Sequence, residues 1–483
     1  MAERANILVV SDLHFGEELL PGATSERRQA VELGARAFRD FLHYHASRRL
    51  GGRPWRLVIA GDLFDFMSVV IPGSVDLPAR THDERRFGLD RSAASGVLRV
   101  RRICENQREL IADMARFAAA GHSIDIIAGN HDIELLSPEV CAELDRQIRA
   151  AGASDVAAAR IRVLPWFVYI PGTAWIEHGH MYDEGCSFEF NLAPADPKDG
   201  KIIYNIDYAA IRYLATTCPE IDPHGIEEWG FWGYMQYGWE IGVRSFMRLW
   251  AGYARFGQSL VRARTKHHSH RSRDARRRVH KERLAQAAEQ GGISLETASA
   301  IDRLARTPMT ISWRRLGRML MLDKMGLGVG VAIVALLSLI LLPLFWAFFV
   351  AGTAFGAAAW TYRWLGKHMV TNQLPMRAVP LRLRRLVDAP VVVFGHTHDP
   401  RWQPLRGGGL YVNTGTWLPA TRPGLRRSFT HVLIQPREGV LPLVELRQWR
   451  DGTSQPFDAG ADLGAGVTMP GVNTGGDWTQ MAG

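Results

Sequence analysis

The chain is poor in cysteine. Its 483 residues hold four, Cys104, Cys141, Cys186 and Cys218. No two form a C-x-x-C pair, so neither a thiolate zinc site nor a disulfide framework is indicated. Buried free thiols in a reducing compartment are the expectation. No signal peptide is expected at this N-terminus: the apolar run in MAERANILVVSDLHF is about five residues long and Asp12 ends it. Acid does not predominate either. Lys and Arg number 58 against 49 Asp and Glu, a net charge of +9, which favours anionic partners: phosphate compounds, lipid headgroups or nucleic acid. The most informative absence lies late in the chain. From Met325 to Tyr362, 38 residues pass without one charged side chain. That exceeds the ~18 apolar residues of a membrane span.

What is present falls into a repeated pattern. Short apolar runs end in polar, ligand-type residues. Ile7–Val10 leads into Ser11-Asp12-Leu13-His14, and Leu57–Ala60 into Gly61-Asp62-Leu63-Phe64-Asp65. Ile124–Ala128 leads into Gly129-Asn130-His131-Asp132, Trp175-Ile176 into Glu177-His178-Gly179-His180, and Val391–Phe394 into Gly395-His396-Thr397-His398. Such runs with a glycine behind them read as buried strands. Helical patterns lie between the first three, at Glu26–Arg49 and Leu98–Ala120. The alternation predicts an α/β domain, a sheet sandwich covered by helices, with its site at strand carboxyl ends. Leu410–Val412 and His431–Gln435 add two expected strands.

Between Asp183 and Arg385 the pattern breaks. An aromatic segment, Trp229–Trp250, reads as a packed helical subdomain or an interfacial surface. Arg262–Arg283 holds ten Lys and Arg against two acids. It reads as a solvated face, with attraction to anionic lipid headgroups as the alternative. Its four histidines lack evident acidic partners, so no second metal site is expected there. Arg80, Arg85, Arg86, Arg99, Arg101 and Arg102 are expected to face water rather than guide a substrate.

Chemistry rests on the strand-end set: Asp12, His14, Asp62, Asn130, His131, His178, His396 and His398. Imidazole, carboxylate and amide oxygen without thiolate suit Mn²⁺, Fe or Zn²⁺ better than Mg²⁺ or Ca²⁺. Seven donors, His131 set aside, exceed what one catalytic ion with an open position takes. They suit two divalent metal ions, Mn²⁺ foremost, the usual arrangement for phosphate ester hydrolysis by an activated water.

As a series, Asp12-x-His14, Gly61-Asp62-x-x-Asp65, Gly129-Asn130-His131-Asp132, His178-Gly179-His180 and Gly395-His396-Thr397-His398 resembles the calcineurin-like metallophosphoesterases. The resemblance covers roughly residues 5–182 and 388–435. It implies an αββα sandwich and a dinuclear centre. One ion would be held by Asp12, His14, Asp62 and His398, the other by Asp62, Asn130, His178 and His396, with Asp62 bridging. His131 would stand near the scissile phosphate, oriented by Asp132, with Asp65 in a supporting place. SDLHF, GDLFD, His178-Gly179 and GHTHDP are also similar to the branch that cleaves the pyrophosphate of UDP-2,3-diacylglucosamine. The chain departs from that branch at His131, where arginine is usual, at His180, where aspartate is usual, and in its long insert. The chemistry is therefore carried over and the substrate is not.

These readings divide the chain into 1–182, the first part of the phosphoesterase domain; 183–387, a helical insertion with the basic segment 262–283 and a membrane hairpin at 325–362; 388–450, the second part; and 451–483, a flexible tail. The uncharged stretch must cross a membrane an even number of times, because His396 and His398 have to rejoin the earlier ligands. It divides at Leu342-Pro343. Arg314, Arg315, Arg318 and Lys324 before it, and Arg363 and Lys367 after it, put both flanks and the catalytic domain on the cytoplasmic side of the cell membrane. The expected function is hydrolysis of a phosphate ester or pyrophosphate, with a lipid-linked substrate favoured. A nuclease-type phosphodiesterase, with nucleic acid at the basic segment, is the lesser reading. A membrane-tethered scaffold without activity is the reading from another class.

Overall fold

The computed structural model describes residues 5–75, 77–218, 242–267, 270–366, 378–419 and 428–457. Strands β1 (Asn6–Val10), β2 (Trp55–Ala60), β3 (Ser123–Ile127) and β4 (Ile161–Leu164) lie parallel in that order. A second sheet holds β5 (Phe167–Ile170), β6 (Ala174–Glu177), β7 (Val391–Phe394), β8 (Arg401–Pro404) and β9 (Leu410–Asn413), in the order β5-β6-β7-β9-β8. Within it β6, β7 and β9 are parallel. The chain then returns to the first sheet with β10 (Thr430–Gln435), β11 (Leu443–Arg450) and β12 (Thr453–Pro456), all antiparallel. The protein is thus mixed α/β with two mixed sheets.

Side chains alternate across a strand, so each buried run feeds two cores. Ile7, Val9, Val58, Ala60 and Ile127 of the first sheet share one apolar cluster with Val168, Ile176, Val391, Val393 and Val412 of the second. Leu8, Val10, Leu57 and Ile59 point the other way. They meet Phe38 and Phe41 of the helix Ser25–Ala46, Ile103 of Ala93–Asn106, Met114 of Arg108–Ala119 and Leu144 of Pro138–Ala150. Burial on both faces is why these strands read as continuous apolar runs. The expected helix Leu98–Ala120 is two helices, broken at Gln107, whose φ of −105° and ψ of 33° are not helical.

The outer face of the second sheet is covered by the insertion. Trp175, Val392, Phe394 and Tyr411 pack with Leu284 and Ala287 of the helix His270–Gly291, Ile301 of Leu295–Asp302 and Leu383 of Val379–Arg384. The insertion is therefore a layer of the same body, not an appendage. A further cluster joins Tyr213 and Leu214 to Leu249, Phe256 and Leu260 of the helix Gly242–His267, and to Leu316 and Leu320. Of the aromatic segment 229–250, residues 229–241 lie outside the described residues; the remainder begins this helix.

Two helices in the insertion, Leu322–Leu341 and Leu344–Trp364, are long and apolar enough to span a membrane, and 6% of each lies inside the molecule. At 1.5 Å per residue each reaches about 30 Å. They break where the sequence divided, with Leu342 extended before Pro343 as a residue preceding proline must be. Leu341, Leu344, Phe345, Phe348, Phe355 and Trp360 are all more than 60% exposed.

Several expectations are corrected. The tail reading from 451 fails at its start: Thr453–Pro456 pairs with β11 and extends the sheet by one edge strand; residues 458–483 lie outside the described residues. The basic segment is not one solvated face. Arg273 and Arg276 both grip Glu189, Lys266 pairs with Asp199 and Arg283 donates to the Leu192 carbonyl. Arg271, Arg277, Arg278 and Lys281 stay exposed. His280 does have an acidic partner, Asp302, 3.1 Å away. Arg99 faces neither water nor substrate: it is buried and donates to the Val69 and Leu89 carbonyls. No disulfide joins any of the four cysteines, and Cys104, Cys186 and Cys218 are buried.

Candidate metal centre

Every residue of the expected ligand set stands just past a strand end. Asp12 and His14 follow β1, Asp62 follows β2, Asn130 follows β3, His178 follows β6, and His396 and His398 follow β7. Because β1, β2 and β3 are parallel neighbours, and β6 and β7 likewise, all five loops leave the carboxyl edges of two facing sheets. Ion-pair distances show what this achieves. His398 Nε2 lies 3.1 Å from Asp12 Oδ1 and 3.3 Å from His14 Nε2. His178 Nε2 lies 3.1 Å from Asp62 Oδ2 and 3.0 Å from Asn130 Oδ1. Asp62 Oδ2 is also 3.8 Å from His14 Nε2. Two donor groups therefore lie side by side with Asp62 between them.

The backbone turns sharply to do this. Asp12, His14, Asp62, His396 and His398 all have φ between 51° and 68°. A left-handed backbone is uncommon outside glycine and costs of order 1–3 kcal/mol per residue. These bends also resolve the spacing of the last two histidines. Two residues apart on a strand they would share a face. Past the end of β7 they diverge, His398 toward Asp12 and His396 toward Asp183, with the His396 ring 5.3 Å from that of His178. Neighbouring glycines make the room. A Cβ on Gly129 would sit 2.1 Å from Asp62 Oδ1, and one on Gly61 would sit 2.3 Å from His178 Nδ1.

The donor set fits divalent cations on the observations of this chain alone. His178 Nδ1 is 2.8 Å from the Ala60 carbonyl, so it carries the proton and leaves Nε2 as the ligating nitrogen. His396 Nε2 is 3.1 Å from Asp183 Oδ2, which leaves Nδ1. Asp12 Oδ1 is buried and faces imidazole nitrogens, His398 Nε2 at 3.1 Å and His14 Nε2 at 3.9 Å, a carboxylate–imidazole grouping that suits a divalent cation.

Electrostatics tell the same story. Burial alone would raise Asp12 and Asp62; His398 beside the first, and His178 and His131 beside the second, hold both below the usual carboxylate range. Burial would lower His178 and His131, yet Asp62 carries His178 up to about 9, and Asp62 with Asp65 carries His131 up to about 10. His180, also buried, is held well below its ordinary value by burial and by His178.

His131 stands beside the first group, its ring 4.5 Å from that of His14. Its expected orienting partner is corrected. His131 Nδ1 faces Asp65 Oδ1 at 3.3 Å, not Asp132. The Asp132 carboxylate is occupied by backbone amides: Gly129 at 2.6 Å, Leu63 at 2.9 Å and Phe64 at 3.3 Å. It ties the Asp62 loop to the Asn130 loop. Burial and the nearby Asp62 push it up to about 7.

Sequence reasoning missed two residues. Asp183 meets His396, and with Cys186 forms a further cluster of donors around it. Asp207 accepts from Asn130 Nδ2 at 2.9 Å. The signal for Asp183 was modest, an acid five residues after His178; nothing in the sequence marked Asp207. No protein-family model matches the chain, and no curated protein is similar to it.

Proposed function

We propose that this protein is a membrane-associated phosphoesterase of the calcineurin-like type, an αββα sandwich with a dinuclear metal centre. One observation carries the reading. Six donors scattered from Asp12 to His398 converge at five strand ends into two adjoining groups, with Asp62 within reach of both and the His396 ring 5.3 Å from that of His178. Asp12, His14, Asp62 and His398 would hold one cation; Asp62, Asn130, His178 and His396 would hold the other. Mn²⁺ fits best, with Fe or Zn²⁺ as alternatives. Two such cations supply charge neutralisation for a phosphate and activation of water.

The chain's own residues do the rest. Asp62 keeps the two groups together. Asp132 fixes the loops that carry Asp62 and Asn130. His131, held beside Asp65 Oδ1 at 3.3 Å and against the His14 ring, is suited to stabilise negative charge on a phosphate or its leaving oxygen.

The apolar hairpin would enter a membrane. The competing reading, a buried soluble hairpin, is disfavoured by its exposure. Since β6 precedes the hairpin and β7 follows it, and the two strands pair, both flanks must lie on one side. Arg314, Arg315, Arg318, Lys324 and Arg363 make that side cytoplasmic. A site tethered there favours a phosphate, phosphodiester or pyrophosphate carried by a lipid, through raised effective concentration.

Hydrolysis of a generic phosphodiester, a generic monoester and a lipid phosphate by detergent-solubilised protein with Mn²⁺ tests this. Turnover in the wild type and a loss of about three orders of magnitude in Asp62→Asn are expected. Wild-type protein that binds Mn²⁺ and hydrolyses none of them would defeat the reading and favour a scaffold. Good turnover of soluble esters with none of the lipid would defeat only the lipid part.

A further inference from the structure

The second donor group is finished by residues outside the strand-end loops, and both come from the insertion. Asn130 presents its amide to His178 on one side and to Asp207 on the other. An amide's oxygen and nitrogen are interchangeable in shape, so chemistry must decide which faces where. A carboxylate accepts only. Asp207 Oδ2, at 2.9 Å, therefore takes the NH₂ and turns Oδ1 toward His178 Nε2, at 3.0 Å. His396 has the same problem with two ring nitrogens. Asp183 Oδ2, 3.1 Å from Nε2, takes that N–H and leaves Nδ1 as a donor.

Neither carboxylate is placed casually. Asp183 is 7% exposed, and its Oδ1 accepts from the Gly185 amide at 2.8 Å. Asp207 sits in the first turn of the helix Ile206–Ala210, which Asn205 caps by accepting from the Tyr208 amide. The two segments are tied together. Ile206 N donates to the Gly185 carbonyl at 3.2 Å, and Asn205 Nδ2 donates to the Cys186 carbonyl at 3.1 Å. One hydrogen-bonded unit of the insertion thus carries both acids to two ligands that arrive from different sheets.

We infer that Asp183 and Asp207 are positioning residues for the second cation: the insertion selects the ligating atoms of His396 and Asn130. This rests on the two-cation reading above. A carboxylate behind a ligand typically governs metal affinity by about 10- to 100-fold.

The test is Mn²⁺ titration of the full-length protein in detergent, wild type against Asp183→Ala, Asp207→Ala, Asp183→Asn and Asp207→Asn. Binding is read by calorimetry, and pairing of the two ions by the exchange-coupled electron paramagnetic resonance signal. The expected result is two equivalents in the wild type. In each alanine variant the weaker site should lose about 10- to 100-fold and the coupled signal should fade to that of isolated Mn²⁺, with the tighter site unchanged. The asparagine variants, whose Oδ1 still accepts, should recover part of the second site. Alanine variants that keep both affinities and the coupled signal overturn the inference while leaving the two-cation reading intact. A wild type that binds fewer than two ions overturns both.

Discussion

The strand-end centre and the apolar hairpin break the ordinary rule of burial in opposite directions. At the centre, Asp12, His14, Asp62 and His178 are buried to within 2% of completely. In the hairpin, Leu341, Leu344 and Phe345 stand about 70% exposed. Between the two sheets the protein packs valines and isoleucines, as the ordinary rule has it. Buried charge needs an answering charge, and exposed apolar surface needs an apolar surround. On the reading proposed above, cations answer the first and lipid the second.

The largest effect should come from the hairpin. Lys324 Nζ lies 5.0 Å over the Tyr362 ring, so the hairpin's ends are neighbours and a short Gly-Ser linker can replace 325–362. That variant should move almost wholly from the membrane fraction to the soluble fraction and keep its Mn²⁺ affinity. Fractionation of cell lysates measures it; a variant that still sediments with membranes breaks the comparison.

The centre should respond to pH instead. His178 is held up to about 9 without metal, so below pH 9 a cation must displace its proton. Apparent Mn²⁺ affinity should fall as pH falls, by about tenfold per unit for each proton displaced, or about 100-fold between pH 8 and 6. Calorimetry in buffers of different ionisation enthalpy should report proton release; affinity flat over this range would count against His178 as a ligand.

Packing around Asp62 gives a smaller effect. Gly129→Ala puts a methyl 2.1 Å from Asp62 Oδ1 and should cost about 1–3 kcal/mol of stability by overpacking. Chemical denaturation measures it, and a neutral substitution would mean the loop gives way freely.

The control lies far from both regions. His45 is 4% exposed among Phe41, Tyr44, Trp55 and Trp449, and burial lowers it to about 4. Its folded value is depressed below the unfolded ~6.5, so the unfolded chain binds the extra proton. Stability should be full above pH 6.5 and fall as pH drops toward 4, by about 2 kcal/mol at pH 5. His45→Leu should flatten that slope in thermal melts. An unchanged slope would shift the effect to other groups, such as the adjacent His431.

Much of this was legible because chemistry and periodicity coincide at strand ends. β1, β2, β3, β6 and β7 each end in their ligand, and Pro343 marked the hairpin's turn. Other elements hid for physical reasons. β4 and β8 are half-buried edge strands without clean alternation, and β12 is four polar or small residues. β11 does alternate, burying Val444 and Leu446, and was readable but missed. Asp132 was misassigned because adjacency in sequence suggested a partnership that the turn instead gives to Asp65. Asp183 and Asp207 were invisible as a pair, since only the fold brings the insertion back against Asn130 and His396.

Elemental analysis of the wild-type protein after equilibrium dialysis against Mn²⁺, beside Asp62→Asn, tests the central claim most directly. Two bound ions per chain, falling to one or none in the variant, are predicted. No retained metal in the wild type, or two ions in both proteins, would contradict a dinuclear centre bridged by Asp62.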